Sequence, residues 1–209
     1  MSVHDLKTIA VLGPGRVGTA LAGRLLIAGA KVRFGGRSAD NVSPLAGVPR
    51  LSFPDAATGA DAIVLAVPAL AAIEVLRQSA PAPGTTVIDC TNPVTWTDGP
   101  VWTPPAQGSV AQAIAAAFPA LAVVKGFNHF GAEIQANPAM PSGPADAFFA
   151  SDDPEAKTRV IALAGAMGFT GHDAGPLRNA GLLESLAVLW IHLAAAGAGR
   201  SFAFRMEQR

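Results

Sequence analysis

The chain has 209 residues, half of them apolar and 14% charged, with fifteen basic residues against fifteen acidic ones. That length buries a sizeable core in one compact unit, and the balanced charge offers no field to draw it onto nucleic acid or an anionic membrane. A single cysteine, Cys90, excludes an internal disulfide and a cysteine-based metal cage, so no metal site is expected; the expected partners are a small molecule and a second copy of the chain.

The N-terminal run MSVHDLKTIAVLG has no basic segment followed by a long apolar stretch and a small-residue cleavage site, which predicts a cytoplasmic protein. Lys7 to Leu12 reads as a strand. Arg16 to Ala28 reads as a helix, with Val17, Leu21, Leu25 and Ala28 at helical spacing and Gly29 as its terminator. Lys31 to Gly35 is the returning strand, completing one βαβ unit. Ala62 to Val67 is a continuous apolar run, as for a strand covered on both faces, followed by Pro68 and a helix-like stretch from Ala69 to Gln78. Thr85 to Asp89 is the next strand.

Cys90 to Gly108, rich in proline and tryptophan, is too long for a connector and is expected to shape a pocket with Trp96 and Trp102. Ser109 with Gln112 opens a helix to Phe118, Leu121 to Lys125 and Asp146 to Ala150 read as strands, and Ser151, Asp152 and Asp153 before Pro154 start a helix through Met167. The last element, Leu177 to about Ala196, carries Leu182, Leu186, Leu189 and Leu193 on one stripe, widened by Leu183 and Trp190. Such a stripe predicts burial against a sheet or a second subunit, hence a homodimer; Glu184 and His192 interrupt the run as a membrane span. The alternation predicts an α/β fold, a Rossmann-type doubly wound, mostly parallel sheet over residues 1–175, with a short C-terminal helical part, 176–209, packed on it.

Gly13, Gly15 and Gly18 form GxGxxG between a strand and a helix, so Gly13, Pro14, Gly15, Arg16, Val17 and Gly18 are expected to hold a dinucleotide pyrophosphate. An NAD enzyme places Asp or Glu roughly 20 residues past the glycines. Here the second strand runs into FGGRSAD, with no acid before Arg37, and a guanidinium pairs with a 2′-phosphate in a bidentate fork. NADP(H) is therefore the expected cofactor, held by Gly36, Arg37 and Ser38; Asp40 lies past the strand end. Ala66, Val67 and Pro68, then Asn92 and Pro93, stand at two further strand ends over the same crevice. Asn92 can bond a ribose, the carboxamide or its own turn.

Three segments, GPGRVGTALAGRL with FGGRS, VVKGFNHFGAEIQANP and DAGPLRNAGLLESLAVLWIHLA, resemble the NADPH:deazaflavin oxidoreductases, to which the reductase domains of six-transmembrane metalloreductases are similar. The resemblance implies hydride exchange with coenzyme F420, or with FMN as a flavin-type second substrate, and an Asn128–His129 segment bordering it. It departs at Gly36, where relatives often carry a serine on the 2′-phosphate, and at Pro14, which removes an amide from the phosphate turn.

Hydride passes directly between two rings, so the protein supplies alignment and water exclusion rather than a nucleophile. His129 is the candidate catalytic group, as a polar partner of developing charge or a proton carrier, or else it bonds a neighbouring backbone group. His192 reads as a structural histidine and Cys90 as a small buried residue. With no tyrosine in the chain, the short-chain reductase mechanism is excluded. A reductase of the imine or β-hydroxyacid type, and a non-catalytic NADP-binding sensor, are the alternatives.

Overall fold

The computed structural model describes residues 6–37 and 42–207. Strand β1 (Thr8–Leu12) passes through the glycine turn into α1 (Arg16–Ile27) and returns as β2 (Lys31–Gly36). There follow β3 (Arg50–Ser52), α2 (Phe53–Ala57), β4 (Ala62–Leu65), a 3-10 turn at Ala69–Ala71, α3 (Ala72–Ser79) and β5 (Thr86–Asp89). A hairpin of β6 (Val94–Trp96) and β7 (Pro100–Trp102) precedes α4 (Val110–Ala117) and β8 (Ala122–Lys125). The rest comprises α5 (Ala132–Ala136), the short pair β9 (Ala139–Met140) and β10 (Gly143–Pro144), β11 (Asp146–Phe149), α6 (Pro154–Ala166), β12 (Thr170–Asp173) and α7 (Ala180–Leu193).

Strands β3-β2-β1-β4-β5-β8 form one sheet whose neighbouring pairs are all parallel. The order steps outward from β1 to one side and from β4 to the other, which opens a crevice at their carboxyl ends. This is the Rossmann-type α/β arrangement that the alternating pattern predicts. Side chains alternate across it: Ile9, Val11, Phe34 and Val64 share a core with Leu21 and Leu25 of α1 and Val160 of α6, while Ala10, Leu12, Ile63 and Leu65 share one with Leu76 of α3 and Ile114 of α4. Each such large side chain contributes roughly 1.5–3 kcal/mol on burial. The expected caps also form, Ser109 Oγ accepting from the Gln112 amide at 3.1 Å and Asp153 Oδ1 from the Ala156 amide at 2.8 Å.

Two elements differ from expectation. The Asp146 strand stands outside the main sheet: β11 pairs in parallel with β12 across α6, a βαβ unit of its own, and the residues after it meet β8 through a bridge between Lys125 and Ala150 and the Ser151 hydroxyl on the Val123 carbonyl. Of the two coverings expected for the leucine stripe of the last helix, a sheet or a second subunit, the fold does not supply the first. Leu183, Glu184, Ala187 and Trp190 face inward, whereas Leu182 and Leu189 are 68% and 47% exposed.

Glu184 sets that rotation. Its Oε2 accepts from Trp102 Nε1 at 3.0 Å, and its Oε1 from the Val110 amide at 2.9 Å and from Lys125 Nζ at 3.1 Å. Lys125 Nζ also donates to Asp89 Oδ2 at 2.9 Å and to the Thr91 carbonyl. All three charged side chains are fully buried. Burial alone would push the Lys125 ammonium down, but the Asp89 and Glu184 carboxylates outweigh it and hold its pKa above the usual lysine value. The helical run Leu177–Ala198, at mean hydropathy 1.5, is long and apolar enough to cross a membrane by length and composition alone, yet this ion pair commits it to the fold.

Lys125→Met would leave two carboxylates buried without their cation, and loss of one partner from a buried pair costs about 3–5 kcal/mol. Urea unfolding is expected to show that loss; an unchanged midpoint would show that the network adds no stability.

Candidate functional site

The glycine turn is braced from two sides. The Gly13 amide donates to the Gly35 carbonyl at 3.1 Å, tying the turn to β2. Gly13 has φ +104°, and a Cβ there would lie 2.3 Å from the Ala66 carbonyl oxygen; one on Gly18 would lie 2.0 Å from the Gly13 carbonyl oxygen. Only glycine fits either position. Gly15 has a different reason, since nothing lies within 4 Å of where its Cβ would stand. Its backbone is open to approach at the N-cap of α1, whose first turn holds no acidic residue. First-turn amides and the positive end of the helix dipole make that approach suit an anion.

Pro14, Gly15, Arg16 and Thr19 form one wall of a cavity of about 550 Å³, and Ala132, Glu133 and Ala136 of α5 form the other. Val17 is half-buried at the start of α1 and packs against the core on its α1 side. Arg16 Nη2 donates to Glu133 Oε1 at 2.6 Å, and Arg200 Nε donates to the same oxygen at 3.0 Å. Arg200 also lies over the Trp190 ring, 5.4 Å from its centroid. The hydrogen bond from Arg200, with the charges of Arg200 and Arg16, holds the Glu133 carboxyl below its usual range. The sequence pattern marks neither Glu133 nor Arg200, because the contact joins the phosphate turn to chain far downstream.

At the end of β2, Gly36 is buried opposite Ser52 of β3, and Arg37 is exposed just beyond it. Ser38 and Asp40 lie outside the described residues. A Cβ on Gly36 would stand 3.2 Å from Nη2 and 3.3 Å from Nε of Arg50, so a second guanidinium lies against this strand end. A three-residue strand has no periodicity to announce it, and Arg50 is missed in the sequence for that reason.

Ala66 and Val67 are half-buried past β4, Pro68 is exposed, and Pro93 is buried past β5. Beside them, Ala69, Leu70, Ile73, Pro93, Pro104 and Pro105 line an apolar cavity of about 360 Å³. The long segment does shape a pocket, but through its prolines. Trp96 is 61% exposed on the hairpin. Trp102 is drawn off by its bond to Glu184 and packs on Gly181, where a Cβ would stand 3.2 Å from the ring.

Burial and bonding narrow the readings of three further residues. His129 is fully buried, its Nε2 lies 3.2 Å from the Asp146 carbonyl oxygen, and its ring packs on Phe130 and Phe148. Desolvation lowers its pKa to about 4, so it is a neutral core histidine without the exposure a proton carrier needs. Asn92 bonds neither its own turn nor open space: its Nδ2 donates to the Asn128 carbonyl at 2.7 Å and its Oδ1 accepts from Asn128 Nδ2 at 2.8 Å. His192 is exposed on the outer face of α7. Cys90 is buried as expected, and desolvation followed by the Asp89 charge raises its thiol pKa.

The model of the family described as NADP oxidoreductase, coenzyme F420-dependent, matches residues 8–93. Among solved structures, the chain is similar to a proposed F420-dependent NADP-reductase from Arthrobacter sp. fb24, at 29% identity and TM-score 0.87 over 96% of this chain and 99% of that one. A hypothetical protein, SMa0349, from Sinorhizobium meliloti follows at 26% identity and TM-score 0.73 over 84% and 88% of the two chains. A reductive aminase from Aspergillus terreus, in complex with NADPH and ethyl levulinate, shares the fold at 18% identity and TM-score 0.67, over 91% of this chain and 63% of that one. A search of the curated proteins found no match.

The depressed His129 pKa carries a sign. Between its usual 6.5 and about 4 the unfolded chain takes up a proton that the folded chain refuses, so His129 costs stability as pH falls through that window and nothing above it. Denaturant unfolding across this range is expected to show the loss, and a His129→Gln variant to show less of it. An equally steep fall in the variant would assign the dependence to other groups.

Proposed function

We propose that this chain, whose residues 8–93 match the model of the coenzyme F420-dependent NADP oxidoreductases, exchanges a hydride between NADPH and a deazaflavin or flavin-type acceptor. The observation that carries the reading is the phosphate turn, open at Gly15, standing beside a β2 whose described residues hold no acid, with Arg37 exposed past its end. These residues fit the cofactor: Gly13 to Gly18 would take the pyrophosphate, Arg16 stands at its edge, and Arg37 would meet the 2′-phosphate. Ala66, Val67 and Pro68 would run along the nicotinamide half.

The cofactor, when bound, supplies the hydride. The protein positions and dehydrates the two rings. The proline-lined cavity past β4 and β5 suits a flat acceptor ring, because its lining is aliphatic apart from Thr103, whose hydroxyl donates to the Pro93 carbonyl. The same reading includes a homodimer across the outer face of α7, where Leu182 and Leu189 are exposed.

NADPH with a deazaflavin, FMN, a ferric chelate or a cyclic imine, followed by loss of its near-ultraviolet absorbance, tests the chemistry. Fastest oxidation by the deazaflavin is expected. Turnover with the imine alone would move the protein to the imine-reductase class, and tight binding without any turnover would make it a sensor.

Arg37→Asp is expected to weaken NADPH binding by about tenfold or more, as for a lost charge-assisted hydrogen bond, with little effect on NADH. Equal losses for both would remove Arg37 from the phosphate. Light scattering is expected to give a dimer mass that Leu189→Glu halves; a monomeric wild type would refute the dimer.

A further inference from the structure

Arg50 has no place in the reading so far, and its position is specific. It stands on β3, in register with Phe34 of β2, and its side chain runs along the sheet edge to the end of β2. There it meets Gly36 through Nη2, Nε and Cζ, at 3.2, 3.3 and 3.6 Å from an ideal Cβ. With Cζ farther off than both nitrogens, the guanidinium turns its Nε–Nη2 edge toward the place a Gly36 side chain would take. A methyl group at 36 would already be tighter than ordinary contact, and a serine would add its hydroxyl to that crowding. Arg50 Nη1 also lies 3.5 Å from the Val42 carbonyl oxygen, on the far side of the loop that leaves β2. The next residue after Gly36 is the exposed Arg37.

We propose that Arg50 is a second cationic determinant of NADP specificity, and that Gly36 is glycine to admit its guanidinium to the site of the 2′-phosphate. This inference rests on the reading of the site as an NADPH site. A phosphate monoester carries between one and two charges near neutral pH, more than one guanidinium neutralises. A planar fork held in place by the sheet loses less freedom on binding than a mobile chain does. Arg50, half-buried along β3, is such a fork, and Arg37, exposed in the loop, supplies the second charge. The hydroxyl that a serine at 36 would bring to the phosphate is replaced here by the charge that its absence admits.

Full-length protein is titrated with NADPH and NADH by nicotinamide fluorescence, and NADPH is competed with adenosine 2′,5′-bisphosphate and adenosine 5′-phosphate. Wild type is expected to prefer NADPH and the bisphosphate. Arg50→Gln is expected to lose about tenfold for both of these, by the size of a charge-assisted contact, and less than about twofold for NADH and the monophosphate. Arg50→Lys keeps the charge without the fork and is expected to fall between; thermal unfolding of each variant reports its fold. Equal losses for phosphorylated and unphosphorylated ligands, or no loss in either variant, would overturn the role of Arg50 while leaving the NADPH reading intact. A wild type without preference for NADPH would overturn both.

Discussion

One ammonium group organises the interior of this protein. Lys125 leaves the carboxyl end of β8 and takes Asp89 of β5, Glu184 of α7 and the Thr91 carbonyl, all inside the fold. Two buried carboxylates against one cation leave an excess negative charge, and the Val110 amide at the start of α4 and the Trp102 indole share it. The sheet edge, the hairpin, α4 and α7 thus meet at one point where none of the charged groups is tolerable alone. The rotation of α7 follows from this. An apolar stripe is weakly directional, whereas a buried carboxylate with three donors admits one orientation.

The crevice depends on a different constraint, steric rather than electrostatic. Backbone approaches near 2 Å at the missing Cβ positions of Gly13 and Gly18 fuse the turn to α1 and to the end of β4. What remains open is Gly15 and the α1 terminus, flanked by Arg16 in its bond to Glu133. An anion entering there finds donors already aimed, and it competes with a carboxylate for one arginine.

Much of the central βαβ unit was legible because it is written in local terms. Apolar runs in Thr8–Leu12 and Ala62–Leu65, helical spacing in α1 and cap residues at Ser109 and Asp153 each act within a few neighbours. The short elements were harder. Helix α2 carries a Ser52 cap, an early proline and Asp55, a readable signal passed over, whereas β3 and β12 exist only through the partners they pair with. The site divides the same way. The glycines and Arg37 could be read in place, but Arg50 and Glu133 arrive through tertiary contact. For His129 and Asn92 a polar letter does not say whether its partner is a ligand or the protein's own backbone; His129 takes the backbone partner that its sequence left open, and Asn92 takes Asn128.

The buried network also orders events in time. Lys125 lies 36 residues after Asp89 and 59 before Glu184. The chain is made from its N-terminus onward, so Asp89 and Lys125 both exist before Glu184 does. Until Glu184 is delivered, the Val110 amide and the Trp102 indole lack the acceptor that the finished protein gives them. The chain therefore closes from its last helix, and a nascent chain that stops before α7 keeps an open polar seam in place of a finished core.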